Sequence, residues 1–85
     1  MKTVNKYDKE IGTIIKFKRI EKGLKQSDLC VFEFMEQGPI SSIDAGKLKI
    51  PVGYIKPICE KLDLNPRVII NLKVKSYEYY LLSNV

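Results

Sequence analysis

The sequence predicts an all-α fold, and three runs of residues predict it. Ile11, Ile14 and Ile15 form an inward stripe between a capping candidate, Asp8, and a stop, Gly23. Ile55, Ile58, Cys59 and Leu62 recur at i, i+3, i+4 and i+7, the spacing of one helical face. Between those runs, Gln26 to Gly46 reads as two short helices meeting at a sharp turn.

In chain order, residues 1–9 read as a polar basic arm carrying Lys2, Lys6 and Lys9, either a frayed tail or a segment that touches phosphates or a minor groove. The first helix runs from about Asp8 to Lys22. Phe17 and Ile20 lie beside its main stripe, where they either repack within the fold or form a partner-binding patch. The second helix spans about 26–34, with Leu29 and Cys30 inward and Gln26, Ser27 and Asp28 in its exposed first turn. A third spans about 37–45, where Ile40 and Ile43 make the buried stripe. Gln37, Ser41 and Ser42 then point outward, a small polar surface suited to a groove.

After Gly46 comes a basic loop holding Lys47 and Lys49, then a helix from Tyr54 to Leu62, in which Pro57 must sit near the first turn or cause a kink. Asn65 and Pro66 form a start signal for a fifth helix, buried through Val68, Ile69 and Leu72. Residues 73–85 fit a helix through Val74, Tyr77, Tyr80 and Leu81 or a strand through Tyr77, Tyr79 and Leu81. Such large apolar groups beyond a completed core point to self-association, with Tyr77, Tyr80 and Leu81 as the expected dimer contacts.

Composition narrows the function. Eighty-five residues allow one domain, whose small core is marginal unless well packed or dimerised. No apolar run is long enough to span a bilayer and the N-terminus lacks a signal-type apolar region, so a cytoplasmic location is expected. Cys30 and Cys59 are too far apart for a CxxC site and are expected to pack as free thiols. Histidine is absent, which removes the common catalytic pairs and zinc sets, so neither an enzyme nor a cofactor is expected.

Gln26, Leu29, Cys30 and the run Ile40-Ser41-Ser42-Ile43-Asp44-Ala45-Gly46 resemble the helix-turn-helix of the phage repressor and Cro type, the xenobiotic-response-element family. Ile11-Gly12, Ile15, Arg19 and Gly23-Leu24 match that family's first helix, so the resemblance covers about residues 10–72. It implies a five-helix repressor-like domain with a short C-terminal extension over residues 73–85. Four positions depart from the pattern. Lys25 replaces a capping Thr or Ser, Phe34 replaces the turn Gly, Glu36 replaces the N-cap Ser, and Pro39 lies in the recognition helix's first turn. An apolar pair in place of the Gly is similar to the turn of peptide-pheromone-responsive regulators.

By position, the resemblance implies that Gln37, Gly38, Ser41 and Ser42 face base edges of double-stranded DNA, whereas Gln26, Lys25, Lys47 and Lys49 hold phosphates. Asp44 is expected to bond within the domain, and Glu36 must accept from a cytosine, cap its helix or repel a phosphate. The net charge of +5 suits such a partner, yet its distribution is uneven. Residues 1–25 carry +5, 26–46 carry −4, 47–75 carry +5 and 76–85 carry −1. An acidic recognition segment is what a protein-interaction module would use, such as an antirepressor or a phage-type inhibitor that binds another regulator protein. The basic flanks favour a dimeric transcriptional repressor on a palindromic operator.

Overall fold

The computed structural model describes residues 4–30 and 37–83. Those residues form four α-helices, α1 (Lys6–Glu21), α2 (Gln37–Asp44), α3 (Val52–Leu62) and α4 (Pro66–Ser83), with a 3₁₀ turn at Gln26–Leu29. No strand occurs among them, in keeping with the predicted all-α class. None of the described helices is long and apolar enough to cross a membrane.

One core closes the fold. Ile11 and Ile15 of α1 meet Leu29, the Ile40–Ile43 pair of α2, and Ile55, Ile58 and Leu62 of α3. Each side chain of this size contributes about 1.5–3 kcal/mol when fully removed from water. Cys59 is buried and Cys30 half-buried, both as free thiols. Burial pushes the Cys59 thiol pKa up.

Helix α1 begins earlier than expected. Its N-cap is Asn5, whose Oδ1 accepts from the backbone N–H groups of Tyr7 and Asp8 at 3.0 and 3.1 Å, while Asp8 returns a bond from the Asn5 N–H at 2.9 Å. This is a capping box with Asp8 at its third position, not at the cap itself. The arm expected over residues 1–9 is correspondingly shortened, because residues 6–9 are helical and residues 1–3 lie outside the described residues. Ser76 of α4 fastens that helix start. Its Oγ donates to Asp8 Oδ1 at 2.7 Å, and Asn5 Nδ2 donates to the Ser76 carbonyl at 3.0 Å. Tyr7 also meets Tyr79 edge to face, with centroids 6.1 Å apart.

Three helices end with one device. At Gly23 and Gly46 the chain turns with φ of +69° and +72°, and the next residue's N–H reaches back to Arg19 and Ser42 respectively. Asp63 performs the same turn at φ 53° after α3, with the Leu64 N–H on the Cys59 carbonyl. Lys22 pairs with the Asp63 carboxylate and holds its pKa below the usual range.

Several expectations need correction. The helix expected over 26–34 is a 3₁₀ turn that has ended by Cys30; residues 31–36, including Phe34 and Glu36 at the proposed turn, lie outside the described residues. Phe17 and Ile20 do not repack, and remain 68% and 54% exposed. Pro57 lies in the second turn of α3, which begins two residues before Tyr54, and so removes the N–H that would bond Gly53. Residues 73–83 of the C-terminal extension are helical and run on from the fifth predicted helix without a break, so α4 is one element of 18 residues. Asn65 starts it as expected, its Oδ1 accepting the Arg67 N–H at 3.0 Å. Within α4, Ile69 is buried and Leu72 packs against the core, whereas Val68 is exposed.

Candidate nucleic-acid interface

The exposed side of α2 follows from its buried one. Ile40 and Ile43 are fixed in the core three residues apart, so Gly38, Ser41 and Ala45 fall on the opposite face, with Ser42 half-exposed at its edge. Gly38 is open, since a Cβ built there meets nothing within 4 Å. Gln37 begins the helix, but its side chain lies outside the described residues. The remaining predicted base-reading positions therefore share one small, polar face.

What sets that face in place is a close approach of two backbones. A Cβ on Gly12 of α1 would stand 2.2 Å from the carbonyl oxygen of Ile43, so only glycine admits α2 at this distance. The second fastening is ionic. Arg19 brings Nε and Nη2 each to 3.0 Å from Asp44 Oδ2, and its Nη1 donates to the Leu24 carbonyl at 2.9 Å. One guanidinium thus ties the end of α1, the turn after it and the end of α2 together. Asp44 Oδ1 is buried without a hydrogen-bond partner among the described residues.

The predicted phosphate-holding residues divide. Lys47 is exposed just beyond α2, where its N–H caps the Ser42 carbonyl at 2.9 Å. Lys25 is exposed too; its own N–H donates to Asp28 Oδ2 at 2.7 Å, and its side chain caps no N–H of the turn that follows. Gln26 is half-buried, with Nε2 3.4 Å from Asp44 Oδ2. Lys49 is half-buried as well, with Nζ 4.7 Å from the Tyr80 ring centroid and 4.0 Å from Asp8 Oδ2. Gln26 and Lys49 therefore already interact within the domain.

The acidity of the segment is also partly spent. Asp44 faces Arg19 and Asp28 caps Lys25, whereas Glu33 and Glu36 lie outside the described residues. Lys9, which sequence reasoning placed in a free arm, instead packs its stem against Gly46 at the end of α2. Mid-helix Gly12 signalled that junction, but nothing in local spacing named Lys9 as its neighbour. The predicted dimer contacts Tyr77, Tyr80 and Leu81 are all exposed on α4. Among the described residues no cluster of metal-ligating side chains forms. The chain matches no family model, no curated protein and no solved structure.

Proposed function

We propose that this chain is a five-helix, repressor-type helix-turn-helix regulator that binds double-stranded DNA as a dimer and reads a palindromic operator through α2. The observation that carries this reading is the outer face of α2. Gly38, Ser41 and Ser42 leave room for a duplex, and the one acid of the helix, Asp44, is turned away and buried against Arg19. Base edges are read by Gln37, Ser41 and Ser42, and Gly38 lets the backbone approach. Lys47 and Lys25 hold phosphates. Gln26 and Lys49 contribute less, because each already interacts within the domain. Repression follows from occlusion of polymerase by the bound dimer.

The test is fluorescence anisotropy with a random duplex and with DNA from upstream of the coding sequence, at about 50 and 200 mM salt. Tight binding that prefers the upstream DNA and falls steeply with salt is the expected result. Absence of binding to both at the lower salt would refute it.

One observation favours a second reading, a protein-interaction module. Phe17 and Ile20 stand exposed on α1, three residues apart, where a partner protein could cover them. A pull-down that is lost on Phe17→Ser, from a protein that binds no DNA, would select it.

A further inference from the structure

Helix α4 is apolar on two opposite faces. Ile69, Leu72, Ser76 and Tyr79 turn inward, toward the core and the start of α1. Ile70, Val74, Tyr77 and Leu81, spaced by four, three and four residues, form a stripe on the other side, and all four are exposed. An apolar stripe left exposed opposite the buried face is a surface that a partner covers, and the four-three-four spacing is that of a seam between two helices.

Along Ile70, Val74 and Tyr77 of this stripe runs a groove of about 350 Å³ between α3 and α4, completed by Val52, Ile55 and Lys73. One turn beyond Tyr77, Leu81 continues the stripe, exposed and outside that groove's lining. Groove and leucine thus lie in line on one surface, with Leu81 past the groove's Tyr77 end.

We infer that α4 pairs antiparallel with α4 of a second copy of this chain, about a two-fold axis that crosses between Lys75 and Ser76. That axis places Ile70 against Leu81 of the second copy and Val74 against its Tyr77, so each leucine enters the other copy's groove. The pairing is isologous, as a closed two-fold dimer requires. Its flanks set Asn71 beside Glu78, and Lys73 beside Tyr80, whose ring Lys49 of the same copy already approaches at 4.7 Å. A parallel pairing would stack each residue on its own copy and leave both grooves without a knob. The inference rests on the dimeric part of the reading above and adds its register.

Sedimentation equilibrium on the full chain tests the association, and disulfide formation tests the register. The intact protein is expected to be a dimer, and Val74→Glu, at an exposed position, is expected to raise the dimer dissociation constant about tenfold or more with an unchanged helical CD spectrum. Mixed Ile70→Cys and Leu81→Cys copies are expected to form a 70–81 disulfide, identified by peptide mass spectrometry, whereas Leu81→Cys alone forms none with itself. An intact protein that stays monomeric overturns the inference, as does a dimer that Val74→Glu leaves intact or a rapid 81–81 disulfide. DNA binding is scored separately. A dimer that ignores DNA refutes the regulator and leaves the pairing, and a DNA-binding monomer does the reverse.

Discussion

Arg19 and Asp44, 25 positions apart, meet through two nitrogens at 3.0 Å on one carboxylate oxygen. Both side chains are nearly buried, so the pair is hard to replace on one side only. Asp44→Ala leaves a desolvated guanidinium, and a loss of about 3–5 kcal/mol is expected in urea unfolding. Arg19→Met combined with Asp44→Leu should recover part of that loss, since an apolar pair leaves no uncompensated charge.

Gly12→Ala sets helix propensity against space. Alanine gains about 1 kcal/mol over glycine inside a helix, but its Cβ would stand 2.2 Å from the Ile43 carbonyl oxygen. Overpacking costs about 1–3 kcal/mol. The expected outcome is net destabilisation by thermal melting, accompanied by weaker DNA binding, because the strain is relieved by moving α2.

Lys47→Ala should weaken specific and random DNA alike and reduce the salt slope by about one. Lys49→Ala should change the slope less and the melting temperature more, as Lys49 already sits beside Asp8 and the Tyr80 ring. Gln37→Ala should relax operator choice and leave random-duplex binding nearly intact. Equal losses on specific and random DNA for all three variants would refute this division of labour.

The alkaline side of stability should report Lys73. Its pKa is lowered by burial, with Asp8 opposing and Lys49 assisting that shift. The unfolded chain holds the proton more tightly, so it binds more protons than the folded chain between the folded and unfolded pKa values. Stability should therefore rise with pH through that window. Lys73→Met is expected to remove this rise in urea midpoints measured from neutral pH toward the ordinary lysine range.

The two thiols should separate in reactivity. Cys30 is half-buried and Cys59 buried with a raised pKa. Under native conditions an alkylating reagent is expected to modify Cys30 first, with Cys59 labelled only on unfolding, as mass spectrometry of timed samples would show.

Much of the fold was legible because it is local. The isoleucine stripes at 11 and 15, 40 and 43, and 55 and 58 each lie within a helical turn or two, and all are buried. Gly23 and Gly46 announced their turns through the conformation they adopt. Asp44 was expected to bond within the domain, and its partner is Arg19. The start of α1 was less legible, because Asn5 and Asp8 are both good caps and lie three residues apart. Val68 and Ile70 could not be ranked against Ile69 by type, since all three are apolar and only the packing of α4 chooses between them. Among candidate site residues, Lys49 and Gln26 looked free for phosphates because the groups they meet, Asp8, Tyr80 and Asp44, are remote in sequence. The double-faced character of α4 escaped for a related reason. Until Ser76 is seen against Asn5 and Asp8, nothing says which side is inside.

That clasp between Asn5 and Ser76, 71 positions apart, also bears on the order of events during synthesis. Helix α1 leaves the ribosome before the helix that fastens it, so α1 waits until α4 has emerged. Closing a loop of this length carries an entropic cost that local helix formation does not repay in advance. The nascent chain should thus remain sensitive to protease until α4 is clear of the exit tunnel, and then become resistant in a single step.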